Sequence, residues 1–286
     1  MSNKLVDGIG LISAKREGFN EQGILHFCVC SWLAIALIGQ WLFAVYILLV
    51  FGSPLVNGSL NENSYSHIIK GYVNGDGVGN TIMLVHIIPA ALLSMSGVLQ
   101  IIPYIRRRFA VFHRFNGRFF LSLGLLGAIT GLYLTWVRDT RLSDIGSMGI
   151  TLNGILIPIA VYFAWKYARL KRFDIHQRWA IHAFLLINGV WMFRLLLMFW
   201  FMVNQGPNGN SGKLDGPADI FFSFGCYAIP MLIAELIFWA KRQPKKQSYK
   251  VILTILITVI GCFVTTIGIV AAAMMMWMPR IVEIVS

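Results

Sequence analysis

Charge is what this chain lacks most, and acidic charge above all. Only 13% of its 286 residues are charged, and 12 Asp and Glu stand against 24 Lys and Arg. A soluble domain carries about 25% charged residues, so a water-solvated fold is excluded, the more so with 57% of residues hydrophobic. The net charge of +12 would suggest nucleic acid in a soluble protein. Here the basic residues sit in short clusters between apolar runs, which points to lipid headgroups and membrane topology, with no nucleic acid as partner. The four cysteines, Cys28, Cys30, Cys226 and Cys262, form no CxxC pair and lie in apolar stretches, so a zinc or dithiol site is excluded. HExxH and GxSxG are absent, as are paired acids at catalytic spacing, which removes the common hydrolase chemistries. Without an internal repeat, an inverted-repeat transporter is disfavoured.

What is present is a series of long apolar runs. Crossing a bilayer core takes about 20 apolar residues, and seven segments qualify, near 24–51, 80–104, 119–137, 149–168, 179–203, 218–240 and 250–279. In lipid each must satisfy its own backbone, so the expected fold is all-α: one polytopic membrane domain over 1–286, a seven-helix bundle. The polar start carries no cleavable signal, so the first run is expected to stay as an anchor. Eighteen Lys and Arg fall on one set of connections, including Arg106, Arg107 and Arg108, and five on the other. That asymmetry places the N-terminus in the cytoplasm and the C-terminus outside, in a bacterial inner membrane. On the outer side, residues 53–79 are expected to fold over the bundle mouth, and the stretch from Asn204 to Pro217 reads as a flexible turn. Asn57-Gly58-Ser59 fits a glycosylation sequon, a pattern common by chance. Pro89, Pro158 and Pro230 are expected to kink their helices.

Ionisable residues inside spans are the informative ones, because each is costly unless paired or facing a cavity. They form two expected layers. In the outer half, His86 and Arg194 lie roughly 9 Å and 5 Å from their helix centres, with Asn188, Tyr133 and Trp191 nearby. A guanidinium cannot shed its charge, so Arg194 needs an anion, carbonyls or water; the alternative is structural glue to helix carbonyls. In the inner third lie His182, His26 and Glu235, above His113 and His176. A b-type haem needs axial imidazoles at matched depth, which His182 with His26 or His113 would supply; boundary histidines touching headgroups are the alternative. Met274, Met275, Met276 and Met278 spread around one helix and read as packing. Gly124, Gly127 and Gly131 allow close helix approach or room for a planar ligand.

The middle of the chain carries a further signal. His86 is followed by Gly97 and Gln100, then Phe112-His113-Arg114-Phe115-Asn116-Gly117-Arg118 and Thr130-Gly131-Leu132-Tyr133. Arg172-Phe173-Asp174-Ile175-His176-Gln177-Arg178-Trp179 and Arg194 complete it. This pattern resembles the bacterial family of predicted membrane proteins known as domain of unknown function 2306. The resemblance covers about the middle 110 residues, within a core of 80–204, and marks His86, His113, Arg114, Gly117, Arg118, His176, Arg178, Trp179 and Arg194. It implies a helical membrane core and no activity. His182 departs from the family pattern, which counts against a haem that requires it. The spread of imidazoles over four helices is similar in style to di-haem b-type cytochromes.

Three functions follow as expectations. The first is a redox protein holding a b-type haem or a quinone among helices 2–5, with His86, His113 and His176 as iron ligands or proton carriers and Arg194 on a propionate or carbonyl. The second is a binding or transport module with an outward Arg194–His86 pocket, joined by Asn188 and Tyr133, for a small anion or lipid. The third is an accessory subunit packed against a membrane-protein partner or a second copy.

Overall fold

The computed structural model describes residues 21–61, 65, 70–243 and 248–285. Lys4, Lys15, Arg16, Lys245 and Lys246, and most of 62–69, lie outside the described residues, so those parts of the basic tail, the basic loop and the mouth-covering stretch do too.

The regular structure of the described residues is all helical, with no strand among them. Six helices are long and apolar enough to span a bilayer: α1 Glu21–Val56, α2 Gly77–Gln100, α4 Ala110–Trp136, α5 Asp144–Arg169, α8 Pro217–Ala240 and α9 Tyr249–Ile284. Between α2 and α4 lies the short α3, Pro103–Arg108. The fifth expected span is a broken pair, α6 Phe173–Ile187 and α7 Gly189–Asn204, bent by 57°. Counting that pair as one span makes seven crossings.

Successive spans run in opposite directions. One end of the bundle, the basic end, gathers α3, the starts of α4 and α6 and the end of α5. The other, the loop end, carries the connections 137–143 and 205–216. Neighbours close a ring: α1 packs on α2 and α9, α2 on α4, α4 on α5, α5 on α6 and α8, and α7 on α8 and α9. Lipid-facing side chains such as Phe27, Leu232, Leu256 and Phe263 remain exposed, as expected where hydrocarbon is the solvent.

The sharp bend does not fall at a proline. Pro89, Pro158 and Pro230 all sit inside helices that continue past them. The ladder breaks instead at Asn188, where side chains compete for it. The amide of Asn153 donates to Leu186 O (3.1 Å), and Gln40 donates to Asn188 Oδ1 (2.7 Å) while Asn188 Nδ2 donates to Phe184 O (2.9 Å). Polar groups inserted into a helix ladder are a recognised cause of kinks. Gly189 is required by the same contact, since a Cβ there would meet Asn153 Nδ2 at 2.5 Å.

The loop end is an ordered polar lattice. Arg138 is buried, at 8% exposed, and its guanidinium donates to Asp76 (2.9 Å), Asn80 Oδ1 (2.8 Å), Lys70 O (2.9 Å) and Gly71 O (3.0 Å). Asp76 also caps α2 by accepting from Gly79 N (2.8 Å), which is the role of the Gly-Asp-Gly stretch. The Arg138 guanidinium, with that backbone bond, holds the Asp76 carboxyl below the usual carboxylate range. A depressed folded-state value gives stability that is complete above the unfolded value of about 3.9 and lost as pH falls through the folded one. The acid limb of a thermal-stability profile is therefore expected to flatten in Asp76→Asn; an unchanged limb would remove Asp76 from the acid response.

The connection between α7 and α8, expected as a flexible turn, is instead pinned. The Asp219 carboxylate, 1% exposed, accepts from Asn210 Nδ2 (2.6 Å), Ser211 N (2.8 Å) and Gly216 N (3.2 Å). Glycine and asparagine content alone suggested looseness; the fixing acid lies on the following helix.

Candidate functional site

Inside the ring lies a cavity of ≈ 710 Å³. Its wall is mostly apolar, and it includes His86 from α2, Asn153 from α5, and Asn188 and Arg194 from the broken pair. Helices α1 and α9 contribute Phe43, Tyr46 and Trp277.

Arg194 is the unusual member. Among the described residues its one hydrogen bond runs to Val190 O, a turn earlier, at a long 3.4 Å. Its guanidinium lies 5.8 Å from the centre of the Phe43 ring. No carboxylate stands within ion-pair distance of it among the described residues. One long carbonyl bond and one ring face do not replace the solvation of a guanidinium, whose burial without a partner costs several kcal/mol. The residue keeps partial accessible surface because it forms part of the cavity wall.

His86 Nδ1 lies 2.9 Å from Thr130 Oγ1. The same hydroxyl lies 2.7 Å from Leu126 O; with its hydrogen on that carbonyl, the imidazole donates from Nδ1 and presents Nε2 as acceptor. Three other wall residues carry a polar atom that is sealed from solvent and has no hydrogen-bond partner among the described residues: Asn153 Oδ1, Trp191 Nε1 and Trp277 Nε1. Buried polar atoms normally find partners, but these three are packed behind the wall rather than turned into the void. The N-terminus of α7 also opens here, with no side chain capping it; its first amides lack intrahelical acceptors and carry partial positive charge.

The glycines of α4 divide by role. A Cβ on Gly124 would collide with the Ile187 side chain, and one on Gly131 would come within 3.2 Å of His86 Cε1. Gly127 has nothing within 4 Å of that position and lines the void.

The expected residues separate into three places. His86, Asn188 and Arg194 share the cavity; Tyr133, in the last turn of α4, is not part of its wall. His113 and His176 belong to the basic end. There Gln100, its amide oriented as its neighbours require, donates to His113 Nδ1 (3.2 Å) and accepts from Gly117 N (3.3 Å), while His176 Nδ1 donates to Ala164 O (2.9 Å). The set His86, His113 and His176 does not assemble as ligands of one iron. His86 sits at the level of Thr130, seventeen residues beyond His113 on α4, which is about 26 Å at 1.5 Å per residue. Among the described residues no three His, Cys, Asp or Glu side chains form a metal-holding group.

His182 is also committed elsewhere. Its Nε2 donates to Glu235 (2.6 Å), and the same carboxylate accepts from Arg178 Nε (2.7 Å) and Nη2. The pairing of His182 with His26 is not made, since His26 is exposed on α1 beside Cys30. This cluster ties α6 to α8. Glu235→Ala is expected to cost about 1–3 kcal/mol, because it strands the buried imidazole, and Arg178→Ala less, because that guanidinium is half exposed. Equal melting of all three proteins would dismiss the cluster as a fastening.

Sequence reasoning missed Asn153, Gln40, Trp277 and the buried state of Arg138. The first three are neutral residues in apolar runs, whose charge and spacing announce nothing. Asp76 and Asn80, one helical turn apart, were the available signal for the Arg138 lattice.

The fold and the site together define a multi-pass membrane protein with an internal, polar-tipped cavity. The chain belongs to the family described as predicted membrane protein (DUF2306), whose model matches residues 83–238. The match takes in α4 to α7 whole, nearly all of α8 and three-quarters of α2, and therefore His86, Asn153 and Arg194, while α1 and α9 complete the wall from outside it. No curated protein and no solved structure matches the chain.

Proposed function

We propose that this protein binds an organic anion with an apolar body, carboxylate or phosphate head first, in the cavity between α2, α4, α5 and α7. The observation that carries this reading is Arg194, a permanent cation on an apolar wall without a counter-charge among the described residues. An anionic head supplies what that guanidinium lacks, in charge-assisted and preferably bidentate hydrogen bonds. The uncapped amide end of α7 adds donors, and the hydrocarbon wall suits an alkyl or aromatic remainder. The division of Lys and Arg between the two sets of connections supports a basic end in the cytoplasm and a loop end outside, in a bacterial inner membrane.

The test is thermal unfolding of protein in nanodiscs with straight-chain carboxylates from hexanoate to tetradecanoate, and alcohols of equal length. Carboxylates are expected to stabilise, by about 2.7 kcal/mol at a hundredfold excess over Kd, and alcohols to have little effect. Equal effects of acid and alcohol would overturn the reading.

A quinone is the second reading, favoured by the lone pair on His86 Nε2. With Arg194 as donor and His86 as acceptor on one wall, a carbonyl and a hydroxyl of a quinone–quinol pair would each find a partner. Solvent extraction and an absorption spectrum with and without dithionite separate the cases. A quinone in the extract supports this second reading, and a Soret band would support a b-type haem instead.

A further inference from the structure

We infer that Lys213 captures the organic anion at the loop end and that the ligand enters from water there rather than sideways from the bilayer. The inference rests on the anion-binding reading above and adds its route. The cavity is not confined to mid-bundle: its wall continues to exposed Lys70, Leu142 and Lys213. Arg194 lies ten residues before the end of α7, so the mouth is about 15 Å away along that helix.

Four cations border the mouth, and three are already neutralised. Arg138 pairs with Asp76 at 2.9 Å, Lys70 with Asp139 at 3.6 Å, and Arg141 with Asp139 and Asp144, both at 2.5 Å. Lys213 has no ion-pair partner among the described residues. Its backbone is nonetheless fixed. Ser211 Oγ accepts from Lys213 N (3.2 Å) and Asp215 N (3.0 Å), the Asp219 carboxylate holds both flanks of the loop, and Leu214 adopts a left-handed φ of +56°. The Leu214 carbonyl presses on Gly146 at the start of α5, where no Cβ would fit.

An ammonium without an ion-pair partner among the described residues, carried on a fixed backbone at the mouth of a low-dielectric cavity, acts by steering. It raises the local concentration of anions and their on-rate, by roughly 10- to 1,000-fold for clefts of this kind, and the effect is screened by salt. Arg194, at the far end, governs departure. The two cations therefore separate kinetically.

The experiment is stopped-flow binding of dansyl-undecanoate to the full-length protein in nanodiscs of neutral lipid, at low and high salt. For the unaltered protein the on-rate is expected to fall steeply with salt. Lys213→Gln, a change to an exposed side chain that makes none of the hydrogen bonds described above, is expected to lower the low-salt on-rate about tenfold, abolish most of the salt dependence and leave the off-rate unchanged. Lys213→Arg is expected to restore the rate. An on-rate indifferent to salt and to Lys213→Gln, with binding that still requires Arg194, would overturn this entry route and leave the site standing. Binding indifferent to Arg194→Leu as well would overturn the site itself.

Discussion

Arg194→Leu is expected to raise the stability of the ligand-free protein and abolish its response to carboxylates. In most proteins, removing a buried arginine breaks a network and costs several kcal/mol. Here, among the described residues, the network is one 3.4 Å bond to Val190 O and the face of Phe43, so what is removed is mostly an uncompensated desolvation. A guanidinium near a helix centre costs about 2.5–3.5 kcal/mol on insertion scales. The leucine variant is therefore expected to gain about 1–3 kcal/mol without ligand, the signature of a site that trades stability for function. Thermal or denaturant unfolding in nanodiscs, with and without dodecanoate, reads both effects. A variant less stable than its parent would mean that Arg194 fastens the helices, and the anion reading would fall.

The second large effect is expected at Gly127. A side chain there enters open space, because nothing lies within 4 Å of its Cβ position. Gly127→Leu should therefore leave the fold intact and even favour α4, since replacing a mid-helix glycine gains up to about 1 kcal/mol. The same side chain occupies volume that the ligand's body needs. Dansyl-undecanoate binding is expected to weaken by about 10- to 100-fold, which corresponds to about 1–3 kcal/mol of overlap. Gly124→Leu is the informative contrast: it drives into Ile187 and should destabilise the protein. Unaltered affinity in Gly127→Leu, measured by equilibrium titration, would show that the ligand lies elsewhere.

Much of this architecture was readable along the chain. Apolar runs of spanning length mark helices because no other regular structure satisfies its backbone locally in hydrocarbon, and the expected spans fall within the observed helices, apart from their end residues and the break at Asn188. His86 and Arg194 were readable for a related reason. An ionisable side chain in a long apolar run contrasts with everything around it, so its cost is visible without coordinates. Asn188 escaped notice as the break point because its effect depends on Gln40 and Asn153, 148 and 35 positions away. That His86 and His113 fall about 26 Å apart along α4 was hidden for a geometric reason: residue spacing along separate helices does not report relative depth until the helices are in register.

The chain by itself determined that it is helical, that it lives in lipid, and that Arg194 and His86 are expensive there, since these follow from local hydrophobicity and backbone self-satisfaction. Tertiary structure alone decided that the two residues face one void rather than each other's backbones, and that Asp219 pins the loop carrying Lys213. A cavity is a property of surfaces from several helices that fail to meet, and no single stretch of sequence records what its distant neighbours leave empty.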